Sequence, residues 1–206
     1  MNQVEMNKQA KLSEHFSLGE LTRSKSHPEV YNIPSRVHIE NLKRVCVWLE
    51  ALRERYNLRY VLAGAGGQVQ KSRQAKAGGQ VPKVEVFVEN FISRPDPEVI
   101  SRPDPEEARP DPEEPIIITS GYRSAELNRK VGGVATSNHL TGCAVDIRVA
   151  GKEQLIRYAC ILLDYADETR QDFDELLLEH GANGVIWLHF AVKAQDNRRK
   201  INFLKG

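Results

Sequence analysis

The chain has 206 residues, with 29 Lys plus Arg set against 28 Asp plus Glu, room for one domain with a real core and an insertion but a squeeze for two. Balanced charge supplies no global field to draw the protein onto nucleic acid or an anionic membrane, so a partner must be chosen by local chemistry. No stretch approaches the roughly 20 apolar residues of a membrane span, and the opening MNQVEMNKQAKLSEHF lacks the apolar run of a secretory signal, so the expected product is soluble and cytoplasmic as synthesised.

Taken in chain order, SEHFSLGELTRS predicts a short helix behind a serine, and HPEVYNIPS supplies turn residues. From Ser35 onward, RVHIENLKRVCVWLEALRERY spaces Val37, Leu42, Val45, Leu49 and Leu52 near a 3.6-residue period, which predicts an amphipathic helix capped by Ser35. Composition then shifts. VLAGAGGQVQKSRQAKAGGQ is rich in Gly, Ala and Gln, and VPKVEVFVENFI alternates like a strand. Next come three copies of R-P-D-P-E in SRPDPEVISRPDPEEARPDPEEP, where proline at every second position blocks helix and central strand alike and predicts an extended, disordered, charged spacer. The segment 61–114 therefore reads as a long flexible insertion in a single domain spanning 1–206.

At IIITSGYRS a buried strand leads into a turn. SAELNRKVGG predicts a short helix capped by Ser124 and stopped at Gly132-Gly133. GCAVDIRV alternates as a strand, Lys152 to Tyr165 forms a further helix with Leu155, Ile156, Ala159 and Leu162 on one face, DFDELLLEHG is strand or short helix, and VIWLHFAV is an aromatic-rich strand around His189. Helices and strands in this order predict an α+β domain.

Chemistry gathers around His139 and Asp146, seven residues apart across a Thr-Gly turn. A neutral imidazole nitrogen and a carboxylate oxygen both suit a borderline-soft dication such as zinc. A third ligand must come from elsewhere, and His189 and His38 are the histidines set in apolar patterns. Two histidines and one carboxylate would leave a position open for water, the layout of a catalytic zinc. His15, His27 and His38 lie in the lead-in without a paired ligand and are expected to be structural or on the surface. Cys46, Cys143 and Cys160 are odd in number and lack C-x-x-C spacing, which predicts reduced, mostly buried thiols; Cys143 is expected to pack.

The run SGYRS…LN…VGG…S-N-H-x-x-G-x-A-x-D-I, followed by FDELLLE and W-L-H, closely resembles the zinc D-Ala-D-Ala carboxypeptidase family of the lysostaphin, carboxypeptidase and hedgehog type. The front end, FSLGELTRS…N-I-P…NLKRV…LEALR, is similar to the small bacterial and phage members, and only the insert falls outside the likeness. The resemblance implies a small antiparallel sheet flanked by helices, with His139, Asp146 and His189 as ligands to Zn2+. It implies that Arg123 faces a substrate carbonyl or carboxylate and that Ser137 contacts substrate or supports a ligand. Where many members carry an acid two or three residues before the last histidine, this chain has Trp187 and Ile186. Glu179, which matches a glutamate of the small members, is then the expected general base, with His180 as the alternative and Asp174 ordering the strand end. Asn138 stands where glutamine is common.

The activity so implied is hydrolysis of peptidoglycan-type peptides, at a terminal D-Ala or within the stem, by a monomer that reaches the wall as phage lysins do, through a pore made by another protein. The competing expectation is a catalytically silent zinc-fold module of a cell wall or virion. Nucleic-acid binding through Arg198-Arg199-Lys200 is disfavoured by the neutral balance, and a solvated C-terminal face is expected there.

Overall fold

A computed structural model of the chain describes residues 7–64, 114–181 and 183–205. Two compact units divide the chain, 1–60 with 113–206 in one and 61–112 in the other. The sheet, the helices packed on it and the site belong to the first. The expected insert, with its alternating strand and R-P-D-P-E repeat, lies outside the described residues apart from its flanks.

Helix α1, Leu18–Thr22, starts at Ser17, whose hydroxyl accepts from the Glu20 amide while the Glu20 carboxylate accepts from the Ser17 amide, a reciprocal capping box. Helix α2, Arg36–Gly64, starts at Ser35 as expected, with the Ser35 hydroxyl accepting from the His38 amide and His38 Nδ1 accepting from the Ser35 amide. It outruns the expected end near Tyr56, because LRYVLA contains no breaker before Gly64. Asn57 clasps the returning chain, its Oδ1 accepting from the Glu114 amide at 3.0 Å.

Five strands follow: β1, Ile118–Ser120; β2, Ala144–Arg148; β3, Glu175–His180; β4, Ile186–Ala191; and β5, Lys200–Lys205. Helix α3, Ala125–Lys130, is capped by Ser124 as expected; a 3-10 turn, Asn138–Thr141, precedes β2; and α4, Lys152–Thr169, joins β2 to β3. The sheet order is β1-β2-β4-β3-β5. Pairing is antiparallel from β1 to β3, as the resemblance implies. The edge differs: β5 runs parallel to β3, so the sheet is mixed. The basic run ahead of β5 is also not simply solvated, since Arg198 pairs with Asp174 and Glu175 and Arg199 with Asp172 and Asp167.

Strand alternation sorts the central residues onto two faces. Val145 and Ile147 of β2, Leu188 and Phe190 of β4, and Leu176 and Leu178 of β3 are buried in the core with α2 and α4. Trp48 of α2 anchors that side, its ring meeting Tyr165 edge-on at 4.8 Å, Phe190 at 5.2 Å and Phe173 at 6.2 Å. The register places Asp146 opposite His189, and His189 opposite Leu177. Their face therefore also carries Trp187, Glu175 and Glu179, each two positions along its strand. Among the described residues no helix is long and apolar enough to cross a membrane.

Candidate metal centre

His139 is delivered by the 3-10 turn rather than by a strand. Ser137 caps that turn, its hydroxyl accepting from the His139 amide at 3.3 Å. The turn closes on Gly142, whose φ of +72° few other residues adopt and whose missing side chain leaves room for the His38 carbonyl of α2, 2.7 Å from where a Cβ would sit. Cys143 follows, buried and packed as expected, and β2 then carries Asp146 to the middle of the sheet.

Donor atoms of His139, Asp146 and His189 lie within 4.8 Å of one another, and all three residues are buried. Asp146 Oδ1 is 3.2 Å from His139 Nε2 and 2.9 Å from His189 Nδ1, and those two nitrogens are 3.3 Å apart. The donor set fits a dication. His139 Nδ1 lies 2.7 Å from the Gly121 carbonyl, which can only accept, so Nδ1 holds the proton and Nε2 turns its lone pair inward. Burial pushes the His139 pKa down, against the pull of Asp146, and keeps the ring neutral as a ligand must be. Burial works against the Asp146 carboxylate too, but His139 and His189 outweigh it and hold its pKa far below the usual range. For His189, burial is outweighed by Asp146 and Glu175, which raise it to about 9, so without a metal this ring is a cation, and ligation would release its Nδ1 proton.

Arg123 reaches this centre with its charge directed at the candidate ligand Asp146. Its Nη2 donates to Asp146 Oδ2 at 2.5 Å and its Nε to Ser120 Oγ at 2.8 Å. One carboxylate oxygen thus faces the guanidinium and the other the histidines. The loop bearing Arg123 is fixed from both sides: Asn32 donates to the Thr22 and Tyr122 carbonyls and accepts from the Ser124 amide, and the Tyr122 amide donates to the Leu21 carbonyl.

Glu179 stands on β3 opposite Trp187, on the ligand face. Burial raises its pKa, with Asp146 adding to the rise, while His189, the Trp187 side chain and Arg123 oppose it. Its carboxylate therefore shares a field with Asp146, His189 and Arg123. His180, the alternative base, points to the opposite face of β3 and is exposed. Asp174 does order the strand end. It is fully buried and receives Arg198, Lys193 and Asn138. The lead-in histidines have partners away from the cluster: His15 pairs with Glu50, His27 with Glu29, and His38 stacks on Tyr122 with ring centroids 4.7 Å apart. Of the thiols, Cys46 and Cys143 are buried and Cys160 is exposed; burial pushes Cys46 up to about 12.

Sequence reasoning missed Glu175. Its Oε2 lies 3.6 Å from His189 Nε2 and accepts from Asn138 at 3.0 Å. Nothing in DFDELLLEHG distinguishes it from Glu179; only the β3–β4 register does.

No curated protein matches the chain. The family model described as Peptidase M15 matches residues 106–164. That stretch includes Arg123, Ser137, His139 and Asp146, whereas His189 and Glu179 lie beyond it. The segment that forms β1, α3, the His139 turn and β2 is thus similar to Peptidase M15.

Proposed function

We propose that this protein is a zinc-dependent peptidase that hydrolyses peptidoglycan-type peptides, as a D-Ala-D-Ala carboxypeptidase or a stem-peptide endopeptidase, acting as a monomer. The observation that carries this reading is the buried convergence of His139, Asp146 and His189 on the sheet face that also bears a carboxylate of raised pKa, Glu179. A zinc ion held by the three would polarise the scissile carbonyl and acidify water beside it. The chain's own residues supply the rest. Glu179 accepts a proton from the attacking water and returns it to the leaving nitrogen, for which a pKa raised toward neutrality suits it. Arg123 keeps Asp146 in place and brings positive charge to the substrate oxygen. Ser137 fixes the turn that aims His139. The choice of peptide class rests on the family likeness.

Purified protein incubated with defined muropeptides, with and without a chelator, tests the proposal by fragment mass. Loss of terminal D-Ala or a cut in the stem is expected, abolished by chelation and restored by zinc. Glu179→Gln should lower turnover by roughly 10²-fold or more while the protein retains stoichiometric zinc. A zinc-loaded wild type that binds wall fragments but cleaves none of them would instead support the silent module.

A further inference from the structure

Among the described residues, Glu175 is the carboxylate from outside the cluster that forms an ion pair with a candidate ligand. It begins β3 and pairs in register with Ala191, so it stands diagonally next to His189 across the β3–β4 ladder, within reach of a long side chain. Its two oxygens have different partners. Oε1 takes Lys200 Nζ at 3.1 Å and Arg198 Nη2 at 3.0 Å, both from the C-terminal segment; Oε2 takes Asn138 Nδ2 at 3.0 Å and faces His189 Nε2 at 3.6 Å. Three donors thus hold the carboxylate while one oxygen stays turned toward the imidazole. Asn138 donates at the same time to Asp174 Oδ2 at 2.8 Å and immediately precedes His139, so one side-chain amide links Glu175 to Asp174 and to the turn that carries His139. The arrangement at His139 is parallel: there the Gly121 carbonyl fixes the proton on the ring nitrogen turned away from the cluster.

Resting on the metal reading above, we propose that Glu175 is the positioning residue of His189: it holds the proton on Nε2, aims the Nδ1 lone pair at the metal, and is itself held by Asn138, Arg198 and Lys200. A ligating imidazole whose outer N–H has a carboxylate partner is fixed in tautomer and orientation and made a better donor. The C-terminal strand β5 thereby becomes part of the metal centre although it supplies no ligand.

The test is cobalt binding by the full chain, read by visible absorption and by competition with a chelator, for wild type, Glu175→Ala, Glu175→Gln and the ligand control His189→Ala. Glu175→Ala is expected to weaken affinity roughly 10- to 100-fold and to alter the cobalt spectrum, with a smaller loss in Glu175→Gln, which keeps an acceptor but no charge. Should the alanine variant fail to fold, the glutamine variant gives the same reading with the shape preserved. If Glu175 serves only the ion pairs with Arg198 and Lys200, the variants lower the melting midpoint of the chelated protein but bind cobalt with wild-type affinity and spectrum, and the inference is overturned. A wild type that binds no cobalt or zinc overturns the metal reading itself, a distinct result that takes the inference with it.

Discussion

Gly121 shows how closely one residue can tie the front of the chain to its chemistry. A Cβ there would lie 2.2 Å from the Leu21 carbonyl, and the Gly121 carbonyl is the acceptor that sets the His139 tautomer. Gly121→Ala must push α1 and the SGYRS turn apart, with an overpacking cost of about 3 kcal/mol. We expect a lower urea midpoint and a weaker hold on zinc in the same variant, measured by denaturant titration and chelator competition. An alanine variant of wild-type stability and affinity would show that the contact relaxes freely. The legibility of the site varies residue by residue. His139 and Asp146 are readable because they lie only seven residues apart across a Thr-Gly turn. His189 is readable through the family likeness. Glu175 is not, because its role depends on which strand it pairs with and in what register, and neither is encoded in its immediate neighbours.

At the scale of elements, periodicity served α2, α4 and β4, except that Val37 and Ile156, expected on the apolar faces of α2 and α4, are exposed, while α3 was legible from its cap and stop. Periodicity failed at β5. INFLK follows a run of four polar and charged residues, Asn197 to Lys200, whose cations look like a solvated tail until Asp174, Glu175, Asp167 and Asp172 are seen across from them. Asp174 is the centre of that join. Burial alone would raise its pKa, but Arg198, Lys193 and Asn138 outweigh it and leave the carboxyl well below its ordinary value. A depressed folded pKa stabilises the protein above the unfolded value of roughly 4, and the contribution disappears as pH falls from there through the folded pKa. Asp174→Asn should therefore lower stability at neutral pH and flatten its decline below about pH 4, as followed by denaturant midpoints across an acid series. An unchanged acid limb would show that other carboxylates dominate it.

Considered as a whole, the first unit brings its candidate ligands from positions 139, 146 and 189, two of them neighbours across the β2–β4 pair and the third aimed by a turn packed on α2. No stretch of unfolded chain presents all three at once. Metal binding is then linked to folding: a ligand bound by the native state alone stabilises it by RT ln(1 + [L]/Kd), about 4 kcal/mol when free metal is 1,000 times Kd. For a chain of this size that amounts to roughly 10 °C in the melting midpoint. Calorimetry of zinc-loaded and chelated protein should show a rise of this order in wild type. His189→Ala should abolish the rise while leaving the chelated protein folded, because the Trp48 core lies on the opposite face of the sheet from His189. If the two preparations of wild type melt together, the three buried groups are a charge network that holds the sheet to the SGYRS turn through Arg123, and the protein owes its fold to that network without a metal.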